Sequence, residues 1–149
     1  MKKLFITTLI ISSILASCQK DDFCVDLITP NLIIHFYDSV NPEERKQVEN
    51  LTVWADGLEE LYTNVAIDSI ALPLDPAEDF TTYHLNSGES QDQITINYTR
   101  KEVFVSRSCG YIYNFTELNL TDISNNWIVN SVIINETVED DSEHLKILH

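Results

Sequence analysis

Residues 93–99 read QITINYT, an alternation that places Ile94, Ile96 and Tyr98 on one side of an extended chain and Thr95, Asn97 and Thr99 on the other. Successive side chains of a β-strand point to opposite faces, so such a segment buries one face and wets the other. Its β-branched and aromatic content fits the same state. One strand of a sheet with a single buried face is therefore predicted here.

The neighbouring segments repeat this chemistry. Downstream, EVFVSRSCGYIYNF (102–115) alternates Tyr111, Tyr113 and Phe115, with TRK (99–101) read as a turn between the two runs. WIVNSVII (127–134) follows the turn-like TDISNN (121–126), and HLKIL (144–148) reads as a closing strand after the acidic EDDSE (139–143). Upstream, FTTYHL (80–85) and VAIDSIALPL (65–74) are bounded by NSGESQD (86–92) and DPAED (75–79), whose Gly, Pro, Asn, Asp and Ser favour turns.

The segment 48–65 is two-sided. Val48, Leu51, Trp54, Leu58, Leu61 and Val65 recur at helical spacing, whereas Leu51, Val53 and Ala55 alternate. Thr52, Val53 and Trp54 followed by Asp56 and Gly57 make a poor helix, so 50–55 is read as a strand. A short helix is expected at 42–47, with Asn41 as cap, Pro42 at the first helical position and Glu44 at the capping-box position. NLIIHFYD (31–38) reads as a buried strand. About seven to nine short strands at regular spacing predict an all-β chain, a single β-sandwich of immunoglobulin-like or related type. No repeat or second domain is visible.

The N-terminus follows other rules. Lys2 and Lys3 precede an apolar run, Leu4–Leu15, that is too short for the roughly 20 residues a membrane span needs. Residues 1–17 are read as a signal peptide. LAS immediately before Cys18 resembles the lipobox of bacterial lipoproteins, in which the cysteine is acylated and becomes the new N-terminus. That resemblance implies a lipid on Cys18, a tether over 18–23 and a folded domain over 24–149. Two or three acyl chains hold a soluble domain on a membrane far longer than one does.

Removing Lys2 and Lys3 leaves seven basic side chains against 24 acidic ones. Nucleic acid and anionic head groups are poor partners for such a surface as a whole, and no nucleic acid is expected to bind, since polyphosphate requires a basic footprint. With Cys18 acylated, Cys24 and Cys109 form an even pair in an oxidising compartment, and a disulfide between them is expected. The competing reading makes Cys109 a nucleophile, which would need a nearby base that the sequence does not supply.

No other constellation carries a reaction. The chain contains no GxSxG, phosphate-loop or dinucleotide fingerprint, and no HExxH or paired Cys/His set. No catalytic residue, metal or cofactor is assigned. His35 is read as a partly buried strand residue and His144 as terminal. The acids at Asp75, Glu78, Asp79 and 139–143 read as solvated turns. Arg100, Lys101 and Arg107 form a basic cluster, read as pairing with neighbouring acids.

TPNLIIHFYD, LPLDP followed by TTYHL, ITINYTRKEVFVSRSCGY and HLKIL together resemble a family of small Bacteroidota lipoproteins known only as a domain of unknown function. The resemblance implies a location and a fold, and carries no catalytic residue. QKDD after Cys18 is similar to the signal that sends lipoproteins of that phylum to the outer face of the outer membrane. DSV (38–40) and DSI (68–70) resemble its O-glycosylation tripeptide, implying sugar on Ser39 or Ser69. The function expected is that of a lipid-anchored cell-envelope lipoprotein of the outer membrane, a non-enzymatic binding module or accessory subunit with an envelope protein as partner. The alternative is a carboxylate-dependent hydrolase acting on envelope or dietary glycan.

Overall fold

The alternating pattern folds as it reads. A computed structural model describes residues 29–149. Its nine strands are β1 (Leu32–Tyr37), β2 (Val48–Ala55), β3 (Tyr62–Ile67), β4 (Ser69–Leu72), β5 (Phe80–Ser87), β6 (Ser90–Ser106), β7 (Gly110–Thr121), β8 (Asn130–Ile133) and β9 (Leu145–Leu148). They form a sandwich of a four-stranded sheet, β4-β1-β9-β8, and a five-stranded sheet, β3-β2-β5-β6-β7. The signal segment 1–17, the tether and both Cys18 and Cys24 lie outside the described residues.

The in-phase residues of both sheets make one core. Leu32, Ile34 and Phe36 of β1 and Leu145 and Ile147 of β9 face Leu51, Val53, Tyr83, Leu85, Ile94 and Ile96, all nearly inaccessible. Trp127 joins the layers: its indole N–H donates to the Leu85 carbonyl at 3.1 Å, and its ring lies 6.2 Å from that of Phe36. All strand pairs are antiparallel except β1 and β9, which run parallel with Ile34 opposite Leu145.

Several segments differ from the sequence reading; NSGESQD is strand except at Gly88 and Glu89, and Trp127–Val129 precede β8. The expected helix at 42–47 is absent, and no helix occurs among the described residues. Asp38, not Asn41, caps the turn, its carboxylate accepting the Val40 and Asn41 N–H groups at 2.7 and 2.9 Å. The Lys46 N–H then donates to the Phe36 carbonyl at 3.1 Å and Arg45 bridges Tyr37, so the chain returns along β1 instead of coiling. The run 65–74 breaks at Asp68, where the chain leaves the five-stranded sheet for the four-stranded one.

TRK is no turn. β6 continues through it, with a register irregularity between Asn97 and Thr99 opposite Glu117, whose φ of 57° marks the bulge. The true reversal is at Arg107–Cys109, inside the run read as a single strand, and ends on Gly110 with φ 74°. A left-handed backbone there favours glycine.

Candidate functional site

A concavity opens where β2 ends, β5 begins and the 73–79 segment crosses between sheets. It encloses about 470 Å³, within the range of small-ligand sites. Ala55, Leu74 and Tyr83 line its wall, while Leu58 and Phe80, 65% and 48% exposed, stand at its mouth. Asp56, Asp75 and Glu78 supply carboxylates to the lining.

A chain of hydroxyls fixes one wall. The Asp75 N–H donates to Thr81 Oγ1 at 3.0 Å, Thr81 Oγ1 lies 2.6 Å from the Tyr98 hydroxyl, and Tyr98 donates to the Asp75 carbonyl at 3.0 Å. Tyr83 donates to the Pro73 carbonyl. Burial first, then the proximity of Tyr98 and Asp75, pushes the Tyr83 phenol far up; burial also raises Tyr98 against its bonds to Thr81 and Asp75. Both phenols therefore stay protonated and act as donors. Two carboxylates are already engaged: Asp56 pairs with His84 at 2.7 Å, and Asp75 accepts the Ala77 N–H at 2.7 Å. The lining contains no His, Cys or Lys. Chemically it is an apolar socket with a polar, acidic rim.

A second polar cluster lies on the outward side of the four-stranded sheet. Glu143 Oε2 accepts from the Tyr37 hydroxyl at 3.1 Å and sits 3.2 Å from His35 Nδ1. Arg45 contacts the His35 ring and lies 3.7 Å from Asp68. Lys146 Nζ stands 4.0 Å over the Tyr37 ring. These groups join the 41–47 turn, β1 and the C-terminal segment, and their charges largely match one another. This is the chemistry of a pin between distant parts of the chain.

The sequence-assigned residues are scattered. Ser39 is half-buried after β1, its N–H donating to the His149 carbonyl at 3.1 Å. Ser69 is the first residue of β4, paired with His35 and half-buried, a constrained position for a modifying enzyme. Cys109 is half-buried in the β6–β7 turn, its N–H donating to Ser106 Oγ at 3.1 Å. Of the basic cluster, Arg100 pairs with Asp79 at 2.8 Å and donates to the Pro76 carbonyl at 2.9 Å. Among the described residues, Lys101 and Arg107 make no ion pair. Of the acids, Asp75 and Asp79 bond locally as turn residues do, whereas Glu143 is drawn into the outward pin.

Two groups escaped sequence reasoning. Asp92, read as part of a turn, is 1% exposed. It accepts from Ser124 Oγ at 2.7 Å and from the N–H groups of Asn126, Trp127 and Ile128 at 2.8 Å each. Its signal was available: Asp92 is in phase with Ile94 and Ile96. His144 is fully buried, with Nδ1 accepting the Ile33 N–H at 3.0 Å and its own N–H donating to the Ile33 carbonyl at 3.0 Å.

Residues 50–149 match the model of DUF6452, a family of unknown function, and the chain belongs to that family. The matched span leaves out β1, although β1 lies inside the four-stranded sheet. No curated protein matches the chain, and no solved structure does.

Proposed function

We propose that this member of the DUF6452 family is a lipid-anchored lipoprotein of a bacterial outer membrane, of the Bacteroidota type, that binds a partner without chemistry of its own. The anchor rests on the charged n-region, the short apolar run and LAS before Cys18, in that order. Among the described residues the first strand begins at Leu32, and residues 18–23 are read from the sequence as the tether. A Cys24–Cys109 disulfide then clips the start of the domain to the β6–β7 turn.

The observation that carries the binding reading is the apolar socket beside β5. Its walls suit an apolar group of an envelope protein, and the rim carboxylates favour a basic or amide-bearing neighbour of that group. The hydrolase alternative draws on the same three acids. Against it, Asp56 and Asp75 already accept bonds that hold the site together.

A photoreactive amino acid in place of Phe80, at the socket mouth, tests the proposal in intact cells. One recurrent crosslinked envelope protein is expected, and Leu58→Asp should abolish it without lowering the melting temperature. Hydrolysis of envelope glycan by the pure protein, lost in Glu78→Gln and unaccompanied by any specific crosslink, would favour the enzyme instead.

A further inference from the structure

β6 and β7 outrun the sandwich. The last core residue of β6 is Tyr98 and the first of β7 is Phe115, in edge-to-face contact at 4.9 Å, and no residue between them is buried. At about 3.3 Å per residue, the hairpin from Tyr98 to Ser106 extends about 25 Å past the core. Such an arm contributes little to the fold that holds it.

Its composition is unlike that of the rest of the chain. Residues 99–115 hold Arg100, Lys101 and Arg107 against a single acid, Glu102, in a protein with 24 acidic residues and nine basic ones. Phe104 and Tyr111 face each other across the arm with ring centroids 5.2 Å apart, yet remain 56% and 60% exposed. Val103 and Ile112, paired on the opposite face of the hairpin, are half-buried. Exposed aromatic rings on the same arm as Lys101 and Arg107, which make no ion pair among the described residues, match a lipid headgroup boundary, where rings settle at the interface and each Lys or Arg near an anionic surface contributes about 1 kcal/mol.

The chain's own path brings that boundary close. Thr29, the first described residue, accepts the Tyr113 N–H through Oγ1 at 3.4 Å, so the chain at this point lies against the arm. Ten residues lie between Cys18 and Thr29, a reach of at most about 40 Å. With Cys24 bonded to Cys109, only five residues lie between the acylated Cys18 and that bond, a reach of about 20 Å.

We infer that the β6–β7 arm is a membrane-contact element: Phe104 and Tyr111 enter the headgroup region of the anchoring bilayer, and Lys101 and Arg107 bind its anionic groups. The inference rests on acylation of Cys18. It orients the domain, laying the arm on the lipid while the acidic body is repelled from it.

The test uses the full lipidated protein in phosphatidylethanolamine–phosphatidylglycerol vesicles with brominated acyl chains. Phe104→Trp adds a fluorophore at an exposed position to the two native tryptophans. The emission it adds should fall about twofold or more in brominated vesicles, and Lys101→Glu with Arg107→Glu should restore it. An intact acyl mass on Cys18 with flotation on vesicles, but no quenching of the added emission, overturns the arm's role and leaves the anchor standing. Absence of the acyl mass removes both. Shielding of the added tryptophan from acrylamide but not by lipid, with a dimer mass, would show a second copy on this surface and also overturn the inference.

Discussion

Asp92 is the side chain on which the greatest number of backbone groups converge. Burial alone would push its carboxyl up, but the N–H groups of Ile128, Asn126 and Trp127 and the Ser124 hydroxyl outweigh burial and hold it below the usual carboxylate range. It stabilises the fold fully above its unfolded value, about 3.9, and this contribution is lost as pH falls through the lower folded value. Asp92→Asn should cost about 2–4 kcal/mol at neutral pH by urea denaturation, with the gap to the native protein narrowing in acid. His144 works in the opposite sense. Burial pushes its imidazole down, although Asp140, Asp141 and the Thr137 backbone oppose this, so the folded state holds the ring neutral. Below the unfolded value of about 6.5 the unfolded chain takes up the proton more readily, and stability declines. His149, also lowered by burial, acts the same way. The slope of urea midpoint against pH between neutrality and pH 5 should therefore flatten in His144→Gln, measured against whatever constant loss that variant carries. Neither residue was legible as structural, because sequence patterns assign polar residues to the outside. For Asp92 the phase of Ile94 and Ile96 overrides that rule; for His144 only the fold, which tucks it under Ile33, reveals its place.

At the scale of elements, alternation was a good guide and composition a poor one. β1, β2, β5 and β9 fall where apolar residues alternate or cluster, and the strand preferred at 50–55 over the helical spacing of Val48, Leu51 and Trp54 is the one that forms. Thr99–Lys101 reads as a turn by residue type, yet pairing with Thr116, Phe115 and Asn114 of β7 keeps it extended. Conversely, the cap-like Asn41-Pro42 does not yield a helix, because Asp38 and Phe36 capture the backbone groups a helix would use. The break at Asp68 has no signal in a run of strand formers; only the need to cover both sheets divides it. β9 carries the strongest prediction. It lies between β1 and β8, and its Leu145 and Ile147 are fully buried. Ile147→Ala should lower stability by about 2–4 kcal/mol in chemical denaturation, with no change in the strand content seen by circular dichroism. A chain ending at His144 should have no protease-resistant core.

Across the molecule, the two surfaces assigned here make different demands. The socket lies at a junction of sheets and needs the sandwich intact, whereas the arm needs only its own pairing and its attachment to the tether. The proposed Cys24–Cys109 bond ties the N-terminal segment to the arm's turn, closing a loop of about 85 residues that in a chain-entropy account stabilises by about 4–5 kcal/mol before native strain is subtracted. Non-reducing peptide mapping should recover that pair, and Cys109→Ser should lower the urea midpoint while leaving the crosslink from position 80 in place. A free thiol at either position in exported protein would refute the pairing. The parallel pairing of β1 with β9 has one more consequence, in time instead of space. Ile33 and His144, which hydrogen-bond to each other, are 111 residues apart, so β1, the first described strand, must wait for β9. The four-stranded sheet cannot close until β9 has left the ribosome or a translocation channel, and such long-range pairing is intrinsically slow. Until β9 arrives, the edge of β1 that it covers stays unpaired, so a chain cut before Leu145 is expected to offer that edge to proteases and to other chains.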